Sequence, residues 1–112
     1  MVKPLPDAGP DRYIPQTDRT GEERERLPKI SEFFGISIYV YWREHPPPHF
    51  HALYAGSEVL VNIDDLSILE GGVSPRAMGL IVEWATLHQS ELRKAWEDAQ
   101  AHQQPRKIEP LR

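Results

Sequence analysis

The sequence predicts an α+β domain: a small antiparallel meander of three to four strands packed on one long C-terminal α-helix. Three observations predict it. Residues 36–43 alternate apolar and polar side chains at the two-residue period of a half-buried strand. Turn signals at 46–48 and 56–57 then set off two further alternating runs. Beyond Ser74 the period changes to that of a helix and holds to about Ala101.

A length of 112 residues fits a single domain. Residues 1–28 carry five prolines, many charges and only scattered apolar residues, Leu5, Tyr13, Ile14 and Leu27, that make no face. They are expected to form a disordered or loosely ordered extension. Within them, residues 19–26 have the alternating charges of a short solvated helix, and docking on a partner is the functional alternative. The domain proper is expected over 29–112.

Ile36, Ile38, Val40 and Trp42 alternate with Ser37, Tyr39, Tyr41 and Arg43, a pattern rich in β-branched and aromatic residues. After Pro46-Pro47-Pro48, Phe50, Ala52 and Tyr54 alternate with His49, His51 and Leu53, and Gly56-Ser57 reverses the chain into Val59, Val61 and Ile63. Asp64-Asp65 reads as a turn, and Ile68-Leu69 as a short further strand or an extended arm before Gly71-Gly72.

Ser74 can cap a helix and Pro75 sits where a helix needs no amide proton. Met78, Ile81, Val82, Ala85, Leu92, Trp96 and Ala99 fall on one side as the core stripe, with Arg93, Lys94, Glu97 and Asp98 opposite. Leu80, Trp84 and Leu87 form a second apolar strip. Its cover is expected from residues 107–111, from residues 30–34, or from a second copy of the chain, since so short a domain has limited area for its own core.

One helix covers one face of the sheet. The other face is expected to be open and to carry Tyr39, Tyr41, Arg43, His49, His51, Asn62 and Asp64. Three of the five histidines, His45, His49 and His51, crowd around the proline turn. Imidazole is the side chain suited to proton transfer or metal ligation near neutral pH.

Composition narrows the chemistry. With no cysteine, any metal would rest on His, Asp, Glu or water. A formal charge of −4 argues against broad attraction to a phosphate backbone. No stretch approaches the roughly 20 apolar residues of a membrane span and no apolar leader opens the chain, so a cytoplasmic protein is expected.

The runs Ile30-Ser31-Glu32-Phe33-Phe34-Gly35-Ile36, His45-Pro46-Pro47-Pro48-His49-Phe50-His51-Ala52, Leu69-Glu70-Gly71, Pro75-Arg76-Ala77, Glu83-Trp84-Ala85-Thr86-Leu87-His88 and Lys107-Ile108-Glu109-Pro110-Leu111 resemble a family of small bacterial proteins, domain of unknown function 4160. The resemblance covers residues 29–111. It implies a compact bacterial domain, often encoded beside another small protein in an arrangement similar to toxin–antitoxin pairs, and supplies no catalytic residues. Residues 1–28 precede the usual family start, which implies an extension or an over-extended start site.

Three uses of the histidine block follow. As an interaction or regulatory component, its proline-stiffened aromatic surface would recognise a small protein encoded by a neighbouring gene, or a second copy through Leu80, Trp84 and Leu87. As a metal-independent ribonuclease, His49 and His51 would serve as general base and acid on RNA, Arg43 would steady the developing charge, and Tyr41 or Tyr39 would assist. As a divalent-metal site, His45, His49 and His51 would be ligands, with His88 or Asp64 completing the set. The bland alternative is that His49 and His51 hydrogen-bond backbone groups around the prolines. For the rest, His88 is expected to be a satisfied core or interface residue, His102 to favour the helix C-terminus, Trp84 and Trp96 to pack, and Gly71-Gly72 to turn the chain.

Overall fold

A computed structural model describes residues 28–112. The expected extension falls on residues 1–27, outside the described residues, and on Pro28, which is buried with its carbonyl accepting from the Val40 amide at 3.2 Å.

Five strands form one antiparallel sheet in chain order: β1 (Lys29–Phe33), β2 (Ile36–Tyr39), β3 (His49–Tyr54), β4 (Ser57–Asn62) and β5 (Ile68–Gly71). Helices α1 (Pro75–Leu87) and α2 (Gln89–Gln100) follow. The alternation identifies the covered face well. Ile36, Ile38, Val40, Phe50, Ala52, Val59, Val61 and Ile63 are all completely buried, whereas Trp42 and Tyr54 pack at its margin. The β3–β4 hairpin turns through Ala55 and Gly56 at φ 51° and 82°. Two positive φ values in a two-residue loop match the twist of the strands, which fixes the register of everything that follows.

Four expectations are corrected. The sheet has a fifth strand, because residues 30–34 belong to β1 and its following turn. A bulge between Lys29 and Ser31 buries Ile30 and Ser31 side by side, so the two-residue period that betrays a strand is lost there. Strand β2 also ends at Tyr39 and not at Arg43. Arg43 adopts a left-handed conformation at φ 53°, and its amide reaches the carbonyl of Ala99 at the end of α2.

The single long helix is two. His88 breaks it at φ −129°, ψ 26°. The Gln89 side chain ties the start of α2 to the sheet by donating to the carbonyls of Ile63 and Asp64 at 2.8 and 3.1 Å. Buried Ala77, Ile81, Trp84 and Ala85 on α1, and Leu92, Ala95, Trp96 and Ala99 on α2, stay in phase across the break. Periodicity alone therefore reads straight through it.

Trp84 is no part of an exposed strip. It is 0% exposed, its ring 5.3 Å from that of Phe33 and 5.9 Å from that of Phe50, and its indole donates to the Glu109 carbonyl at 2.8 Å. Both in-chain covers operate together, since the Ile108 amide pins the C-terminal arm to the Ile30 carbonyl at 2.7 Å. Leu80 is half-buried and Leu87 is 67% exposed, so of the three only Trp84 is sealed within the chain.

Candidate functional site

His49 and His51 alternate with Phe50 and Ala52 along β3, so their side chains leave the sheet opposite the helix-covered core. That much the alternation predicts. The face is not open there: His49 is 6% and His51 4% exposed. The chain between β2 and β3 folds back over the rings, and the Tyr41 ring lies flat on His51 at 3.9 Å and 12°. His51 is flanked in register by Tyr39 and Leu60. His49 pairs with Asn62 on β4 but lies beyond the last β2–β3 pair, and at this sheet end its ring meets Trp96 of α2 at 5.2 Å.

The groups that face these rings are carboxylates. His51 Nε2 donates to Glu44 Oε1 at 2.6 Å and its Nδ1 to Glu58 Oε2 at 2.7 Å. An imidazole that donates from both nitrogens is an imidazolium. Burial pulls the His51 pKa down, but the two carboxylates outweigh it and leave the pKa raised above 6.5. Glu44 shows the other side of the same coupling: burial pushes its carboxyl up, and the two imidazoles more than reverse this and lower it to about 2.

His49 Nδ1 donates to the Pro47 carbonyl at 2.8 Å. Its buried Nε2 lies 2.9 Å from Glu44 Oε1, and no other polar group among the described residues pairs with it. Glu44 Oε1 and the two Nε2 atoms thus converge, all within 4.8 Å of one another.

Apart from Tyr39 beside His51 and Tyr41 stacked on it, the other candidate residues lie outside this cluster. Arg43 and His45 are exposed on the loop, and neither bonds to the cluster. The acid stands at Glu44, one residue before the histidine assigned to the metal set. His88 bonds through Nδ1 to Glu91 at 2.5 Å at the helix break, and Asp64 pairs with Arg93. Tyr39 is buried, edge-on to Tyr41 at 6.2 Å. His102 sits just past α2 at φ 61° and stacks on Trp42 at 5.0 Å. His49 and His51, the expected general base and acid, are both enclosed.

A family model described as a domain of unknown function, DUF4160, matches residues 35–97, more than half of the chain. The chain belongs to the DUF4160 family. No curated protein and no solved structure matches it. Glu44, His49, His51 and Glu58 all lie within the matched DUF4160 segment, whereas β1 and the C-terminal arm over Trp84 lie outside it. No helix among the described residues is long and apolar enough to cross a membrane.

Proposed function

We propose that this DUF4160 domain is an interaction module, the regulatory member of a two-gene pair similar to toxin–antitoxin pairs, and that the histidine–proline loop is its recognition surface. One observation carries the reading: the loop is pinned from inside by Glu44 on His51, while Arg43, His45, Pro46 and Pro47 face outward. A segment fixed before it meets a partner loses little entropy on binding, and arginine is enriched where binding energy concentrates. The imidazoles act inward as the fastening of the loop. Rings exposed by 6% and 4% do not reach a phosphodiester, so geometry favours recognition over ribonuclease chemistry.

The test is co-expression with the product of the adjacent gene, followed by size-exclusion chromatography and calorimetry. A complex is expected, weakened about tenfold or more by Arg43→Ala with the fold unchanged. Absence of a complex, or one indifferent to Arg43→Ala and Pro47→Ala, would overturn the reading.

A further inference from the structure

We infer that Glu44, His49 and His51 form a binding site for one borderline divalent transition-metal ion, of the class of zinc, nickel or cobalt, with Glu44 Oε1 and the Nε2 atoms of both histidines as ligands, the ion displacing the Nε2 proton of His51 to solvent.

The donor set fits on chemistry and on orientation. Two imidazole nitrogens and one carboxylate oxygen suit such ions and not the oxygen-only preference of magnesium or calcium. Metal-binding histidines characteristically fix the ring through the nitrogen that does not bind. Both histidines do so here: Nδ1 of His49 is held by the Pro47 carbonyl and Nδ1 of His51 by the Glu58 carboxylate, which leaves both Nε2 atoms turned toward Glu44.

The Nε2 of His49 points to the same place, with only the Glu44 oxygen against it. It is buried and without another polar partner among the described residues, in a ring held so that this nitrogen faces the convergence point. A buried ring nitrogen without a well-formed hydrogen bond is unfavourable, and a bound cation is a group that would satisfy it.

The spacing is close to what an ion demands. With bonds of about 2.1 Å, a tetrahedral ion holds its donors about 3.4 Å apart. Glu44 Oε1 now lies 2.9 and 2.6 Å from the two nitrogens, so the carboxylate must retreat by less than about 1 Å. Glu44 is on the loop, with a quarter of its side chain exposed, and can make that movement without shifting a strand. His45, on the exposed side of the loop, takes no part.

Glu58 is then a positioning residue. It holds the His51 ring and raises the basicity of the nitrogen that binds.

The experiment uses the full chain purified without an affinity tag and stripped by a chelator, titrated with zinc and separately with cobalt. One equivalent is expected to bind, with a cobalt absorption spectrum of low-symmetry nitrogen and oxygen coordination and no competition from excess magnesium. Glu44→Gln should weaken zinc by about 100-fold or more and Glu58→Gln by about tenfold, while His102→Ala leaves it unchanged. If Glu44→Gln does not fold, the cobalt spectrum and stoichiometry of the wild-type protein decide. The proposal is overturned if the wild-type protein takes up no stoichiometric ion, or if uptake survives Glu44→Gln and is lost in His45→Ala or His102→Ala.

Discussion

Glu44 and His51 decide how this domain answers to pH. In the metal-free protein Glu44 keeps its charge down to about 2, whereas in the unfolded chain it takes up a proton near 4.5. Its contribution is therefore complete above 4.5 and is lost as pH falls toward 2. His51 works from the other side: its raised pKa gives a contribution complete below 6.5 and lost as pH rises through the raised value. Urea denaturation in the presence of a chelator should show greatest stability between about 4.5 and 6.5, with a decline on the acid side on the order of 3 kcal/mol. A profile that is flat below this window would contradict the coupling. Much of the site was within reach of the sequence, though not where charge alone would look. A two-residue β3–β4 turn sets His51 opposite Leu60 and hence diagonal to Glu58, so one partner follows from register. Glu44 does not, because nothing in the spacing across three prolines says which way the loop folds.

Among the elements, β5 depends on one backbone position. Gly71 has φ 75°, and a Cβ there would sit 2.2 Å from the Glu58 carbonyl oxygen, on the strand that supplies a carboxylate to His51. Gly71→Ala should destabilise the fold by about 3 kcal/mol or more, while Gly72→Ala, which meets nothing within 4 Å, should cost under about 1 kcal/mol. Thermal melts of the two variants check this, and equal losses would contradict it. The start of α1 was legible for a local reason: the Ser74 hydroxyl accepts from the Ala77 amide at 3.2 Å, and Ser74→Ala should lower stability by about 1 kcal/mol. The break at His88 was not, because Ala85 and Leu92 lie seven residues apart and remain on one face with or without it.

At the scale of the whole molecule, the ends of the chain close the core. Trp84 is sealed by Phe33 from β1 and by the Glu109 carbonyl from the arm, contacts 51 and 25 residues away along the sequence, which a local periodicity cannot see. Removal of residues 107–112 should expose Trp84, red-shift its fluorescence and cost about 2–4 kcal/mol from the lost burial of Ile108 and the unpaired indole. An unchanged emission maximum would contradict that role for the arm. The same closure leaves the loop over β3 as the part of the molecule where buried charge meets the surface, and both the recognition reading and the metal site rest on His51 being enclosed there between two carboxylates. Nitrogen-15 NMR of the imidazole rings in the metal-free protein near neutral pH tests this most directly. The account predicts that His51 carries protons on both ring nitrogens, each protected from exchange with water, while the exposed His45 exchanges rapidly. A neutral His51 ring exchanging as fast as His45 would contradict it.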